Sequence, residues 1–146
     1  LYTSFTIDAT TLPLQKDLAL GVPGTQEWVA DLDNAANKKF VADFRKKFGH
    51  YPSFYGAQSY DAINLINSAV VAVKGDTSKK DAMRAEMKKA NYPSVRGKYS
   101  YGNNQVPIQN FYLQDVVPAA AGPLPFPPVA TVLKDHQDPH HTACKM

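Results

Sequence analysis

One continuous run, residues 37 to 73, NKKFVADFRKKFGHYPSFYGAQSYDAINLINSAVVAV, restricts the fold of this chain more than any other stretch. Phe40, Val41, Phe44 and Phe48 recur at helical spacing with Lys38, Lys39, Arg45, Lys46 and Lys47 between them. That pattern predicts an amphipathic helix capped by Asp33 or Asn34 and ended by Gly49 at the C′ position. A Tyr51-Pro52 turn follows, and Ser53 is placed to cap a second helix. In that helix Ala57, Tyr60, Ile63, Ile66, Ala69, Val70 and Val73 repeat at three and four, as in a largely buried element, and Gly75 ends it. The turn and the start of the second helix crowd Tyr51, Phe54, Tyr55, Gln58 and Tyr60 together.

The flanks read as alternating strands and helices. Residues 1–7 are β-rich, residues 10–20 predict a weaker helix, and residues 25–29 a short strand. Ser78 with Asp81 resembles a capping box for a third helix, where Met83 and Met87 face inward and Pro93 stops the run. Residues 95–101 and 108–117 predict strands around a Gly102-Asn103-Asn104 turn, and residues 129–133 one more. Residues 118–128, PAAAGPLPFPP, predict a Pro-rich loop, and the polar tail predicts a surface segment. This order predicts an α/β fold with helices covering a mainly parallel sheet.

Composition narrows the class. A 146-residue chain with 44% apolar and 20% charged residues is a soluble globular mix. Its net charge of +3 is spread over helix faces where lysines alternate with acids and apolar residues, so nucleic acid is not an expected partner. The chain opens at Leu1 on a strand already under way, as expected of a fragment whose N-terminal part is missing. The single Cys144 has no internal partner for a disulfide.

Catalytic patterns are weak. There is no Gly-rich phosphate loop, GxSxG, HExxH or CxxC, so no catalytic residues and no cofactor are expected, and the chain is read as a non-enzyme. Asp31 with Asp33 suits helix capping better than acid–base work. His136, His140 and Cys144, spaced by four, would share one face of a helix and form a weak metal candidate, although Pro139 interrupts a helix there. The aromatic and amide cluster is the better site. Tyr55 and Gln58 lie in the first helical turns, where backbone N–H groups favour an anionic ligand.

The layout of residues 37–73 resembles the hinge crossing of type 1 periplasmic solute-binding proteins, the receptors of ABC importers of the branched-chain amino acid class. Gly21-Val22-Pro23-Gly24-Thr25-Gln26-Glu27-Trp28 is similar to a strand of the second lobe, and residues 95–101 with Ile108–Leu113 to the terminal hairpin. The resemblance implies part of a two-lobed α/β fold with mainly parallel sheets flanked by helices and three hinge crossings in the full protein. It implies that residues 1–49 belong to the second lobe and residues 50–101 return to the first with two helices. Residues 102–146 would carry a hinge crossing, the last strands of the second lobe and the tail.

The implied function is an extracytoplasmic receptor, periplasmic or extracellular, gripping a small carboxylate. Its implied partners are an inner-membrane permease and the missing N-terminal part of the same protein. Ser4, Phe5 and Thr6 would serve one jaw and Tyr55 and Gln58 the other, with Trp28 lining the cleft or packing in the core. Amino-acid binders of the family place an acidic residue just past the strand matching Tyr2-Thr3-Ser4, where this chain has Phe5. A phenyl ring cannot pair a buried ammonium but can stack on an aromatic ligand, so an aromatic acid is expected. The alternatives are a branched-chain or other amino-acid receptor, a ligand sensor of the same fold, an enzyme fragment, and an interaction protein using its Pro-rich loop.

Overall fold

Asn34 and Ser53 start the two long helices of the chain. In the computed structural model, which describes residues 2–118 and 127–145, the Asn34 side chain accepts the Asn37 N–H at 2.8 Å and begins the helix Ala35–Phe48. Ser53 Oγ accepts the Gly56 N–H at 3.2 Å and begins the helix Phe54–Ala72. Each cap satisfies a donor that a helix leaves unpaired at its start. Gly49 ends the first helix with φ +76°, its N–H donating to Arg45 O. Arg45, Lys46 and Lys47 sit in that last turn, where cations complement the helix dipole.

In chain order the elements are β1 (Thr3–Ser4), α1 (Leu12–Gln15) running into a 3-10 turn at Lys16–Ala19, and β2 (Pro23–Gln26). Then come α2 (Ala35–Phe48), α3 (Phe54–Ala72), α4 (Lys80–Lys88), β3 (Ser100–Tyr101), β4 (Pro107–Asp115) and β5 (Pro128–His136). β1 and β2 are parallel, with Ser4 opposite Thr25. β4 runs antiparallel to β2, with Thr25 opposite Leu113, and to β3, with Ser100 opposite Ile108. β5 lies antiparallel to β4 on the edge away from β2, since Tyr112 faces both Gln26 and Thr131. The α/β class holds. Among the described residues parallel pairing is confined to β1 and β2, because β4 and β5 form a hairpin-like ribbon.

Several local expectations are revised. The strand expected over residues 1–7 is reduced to Thr3–Ser4, since Phe5 turns out of the extended region at φ +58°. The helix expected over residues 10–20 is a single α-turn followed by a 3-10 turn. The capping box before α4 does not form, because the Ser78 hydroxyl donates to Asp76 instead. Asn34 caps α2, while Asp33 pairs with Lys38 on the surface. The Pro-rich loop expected at residues 118–128 lies mostly outside the described residues.

The core between α2, α3 and the segment that follows β2 holds Trp28, Ala30, Phe40, Val41, Phe54 and Ala57, joined by Val95. Burying each large side chain here contributes about 1.5–3 kcal/mol. A buried polar network ties the start of α2 to the segment that follows β2. The Trp28 indole N–H donates to Asn37 Oδ1 at 2.8 Å, and Asn37 Nδ2 donates to Ala30 O at 3.0 Å. A second network fixes α3. Asp61, fully buried, accepts from Ser94 Oγ, from Val95 N at 2.9 Å and from Arg96 Nε at 3.2 Å. Arg96 also donates to Gln109 of β4 at 2.9 Å and lies 4.2 Å over the Tyr99 ring. Asn37 thereby anchors α2 to the segment that follows β2, and Asp61 links α3 through Arg96 to β4.

Candidate functional site

The parallel strands β1 and β2 end side by side, and the residues just past their carboxyl ends are Phe5 and Glu27. Open α/β sheets bind ligands in the crevice outside such strand ends. The Phe5 N–H donates to Thr25 O at 3.3 Å, which keeps the two ends in register. The left-handed backbone of Phe5 aims its ring at Phe54, the first residue of α3, with centroids 5.4 Å apart at 58°. Phe54 in turn contacts Tyr55 at 4.0 Å. Phe54 is buried, whereas Phe5 is 42% exposed and Tyr55 59% exposed. The result is a row of three rings with its two ends open and its middle anchored in the core.

Gln58, one turn further along α3, donates through Nε2 to Glu27 Oε1. Glu27 is only 2% exposed, and its second carboxylate oxygen has no hydrogen-bond partner among the described residues. The site therefore combines an aromatic row, the N-terminal turn of a capped helix, and a buried carboxylate held by an amide. Such a set can bind and orient a ring-bearing solute. It presents no nucleophile paired with a base.

The expected site residues fall into groups. Phe5, Tyr55 and Gln58 are brought to one place. Ser4 and Thr6 flank Phe5, both exposed, and the Thr6 hydroxyl donates to Ser4 O at 3.1 Å. Trp28 takes the core role, 2% exposed with its indole N–H spent on Asn37. Tyr60 packs on Phe40 at 4.7 Å, and Tyr51 lies under Arg45 at 4.3 Å. The metal candidate is corrected. His136 ends β5 and only residues 141–143 form a 3-10 turn, so the helical spacing of His136, His140 and Cys144 is not realised. No group of three metal-ligating side chains occurs among the described residues.

Glu27 is the residue that sequence reasoning missed. The one trace in the sequence was an acid inside the segment 25–29 expected to be a strand, which does not by itself mark a site. A cavity of about 520 Å³ lined by Leu65, Arg84, Met87, Lys88, Tyr101 and Gln105 lies toward the other end of α3 and is separate from this site.

The capped N-terminus of α3 meets two parallel strand ends, with aromatic rings between them. The chain belongs to the periplasmic binding protein family, whose pattern matches residues 1–122. It is 34% identical over 116 residues to Leu/Ile/Val-binding protein homolog 6 of Brucella abortus, covering 76% of this chain and 29% of that protein. It is similar to an ABC transporter solute-binding protein of Rhodopseudomonas palustris in complex with benzoate. The TM-score there is 0.84 at 27% identity, over 96% of this chain and 37% of that one. A second solute-binding protein, from R. palustris BisB5 in complex with 3,4-dihydroxybenzoic acid, is 32% identical with a TM-score of 0.76. That match covers 90% of this chain and 36% of the other. A leucine-binding protein of Thermotoga maritima shares the fold at 20% identity, with a TM-score of 0.69 over 80% of this chain and 33% of that one. The chain spans 29% of the length of the curated relatives it matches. Among the described residues no helix is long and apolar enough to cross a membrane.

Proposed function

We propose that this chain is part of an extracytoplasmic receptor of an ABC importer that binds an aromatic carboxylate between two lobes. The observation that carries the reading is the row Phe5–Phe54–Tyr55, whose exposed ends offer ring faces at the ends of β1 and β2. An aromatic ligand stacks or packs edge-on against such rings, and aromatic pairs contribute about 0.5–1.5 kcal/mol beyond area burial. The N-terminal turn of α3 supplies a positive dipole end for the ligand's carboxylate. Two relatives in complex with benzoate and 3,4-dihydroxybenzoic acid support the same ligand class.

The protein binds its solute and releases it unchanged. The lobes close on the ligand about the hinge segments, and the closed form docks on a membrane permease in the periplasm. A second reading, an amino-acid receptor, is favoured by one observation: Glu27 supplies a buried carboxylate able to pair an ammonium. A thermal-shift panel on the full-length protein separates them. Ligands that bind only the folded state raise the melting temperature by mass action. Benzoate, 4-hydroxybenzoate or p-coumarate should raise it while leucine and isoleucine leave it unchanged. A shift with leucine alone would replace the aromatic reading with the amino-acid one.

A further inference from the structure

We infer that Glu27, positioned by Gln58, sets the specificity of this site by requiring a hydrogen-bond donor on the ligand, so that a hydroxylated aromatic acid is preferred over plain benzoate. The inference rests on the binding-site reading above and deepens it. Glu27 is 2% exposed, and Gln58 Nε2 occupies its Oε1 while Oε2 is buried without a partner among the described residues. A buried acceptor left unmatched is costly, and a carboxylate more than a neutral group. The cost is removed when an O–H or N–H arrives with the ligand.

The ligand's own carboxylate cannot fill this role, because it has no donor and would set two like charges together. Polarity therefore orders the site. The first-turn amides of α3 suit the ligand's anionic end, the rings of Phe5, Phe54 and Tyr55 its body, and Glu27 its donor end. Gln58 lies four residues beyond Phe54, about 6 Å along the helix, so the acceptor is displaced from the helix start. Gln58 acts as a positioning residue, since its amide holds the carboxylate by one oxygen and leaves the other for the ligand. A phenolic hydroxyl and an ammonium share the required chemistry, and the two differ in what accompanies them.

Calorimetric titration of the full-length protein with benzoate, 3-hydroxybenzoate, 4-hydroxybenzoate and leucine tests this. At least one hydroxybenzoate should bind ten- to a hundredfold more tightly than benzoate, the range expected for a hydrogen bond to a charged group. Glu27→Met keeps similar length while deleting the acceptor, and should collapse that preference toward unity. A general packing defect would instead weaken all ligands alike. The wild-type ratio stands on its own if the variant fails to fold.

Equal affinity for benzoate and both hydroxybenzoates in the wild type would overturn the inference while leaving the aromatic-acid reading intact. Binding of leucine alone, lost in Glu27→Met, would overturn the aromatic-acid reading while keeping Glu27 as the donor-selecting residue, with an ammonium as the donor. Leucine binding insensitive to Glu27→Met would overturn both, as would binding of none of these ligands.

Discussion

Phe5 holds a left-handed backbone at φ +58°, a conformation that a bulky L residue adopts at a cost of about 1–3 kcal/mol. What the strain achieves is direction, since it turns the ring from the end of β1 onto Phe54. Phe5→Gly separates the two effects. Glycine accepts this φ freely, so the melting temperature should hold or rise, while affinity for an aromatic acid should fall about tenfold with the lost ring contact. Unchanged affinity in a folded variant would remove Phe5 from the site. Tyr55 and Gln58 stood out in the sequence because Ser53 marks the start of their helix, whereas Phe5, inside the strand expected over residues 1–7, stood out only through the family resemblance. Glu27 did not, because its partner Gln58 is 31 residues away and a four-residue strand does not announce which pocket its end will face. Trp28 was ambiguous for a related reason: an indole suits core and cleft equally, and only Asn37, nine residues on, decides for the core.

At the scale of elements, α3 is the part on which the site depends, and Asp61 fixes it. Its carboxylate accepts from Ser94, Val95 and Arg96, with Asp61 at 0% and Arg96 at 9% side-chain exposure. Asp61→Asn leaves the guanidinium buried beside a neutral amide, and breaking a buried pair costs about 3–5 kcal/mol. Urea unfolding of the full-length protein should show a lowered midpoint with an unchanged slope. A loss under 1 kcal/mol would assign the fixing of α3 to packing alone. Tyr92 lies against the same network. Burial first, then the nearby Asp61 charge, push its phenol up to about 12. The fold thus favours the neutral ring, so this contribution is complete below pH ~10 and is lost as pH rises from there toward 12. Tyr92→Phe should flatten that alkaline decline in melting temperature, and an identical decline in the variant would locate the titration elsewhere. Helices α2 and α3 were readable because Asn34, Gly49 and Ser53 are local signals that the chain obeys. The strands were less so. β1 stops where Phe5 turns, and β5 runs to His136 because β4 offers it an edge, a tertiary fact with no local signature.

For the whole molecule, α3 carries exposed Ile63, Ile66 and Val71 on the length beyond the site. Relatives about three times as long as this chain have the additional sequence to cover such a face. The lobe assignment of residues 1–49, 50–101 and 102–146 is our proposal from the same likeness, and it makes the segment around residue 50 the hinge beside which the ligand sits. The α/β class followed from the order of elements, whereas the ligand class depends on contacts between residues distant in the chain. The most direct test is a crystal structure of the full-length protein with 4-hydroxybenzoate. The account predicts the ring packed against Phe5 and Tyr55 with its hydroxyl on Glu27. A ligand bound away from these residues, with Glu27 turned from it, would contradict the account.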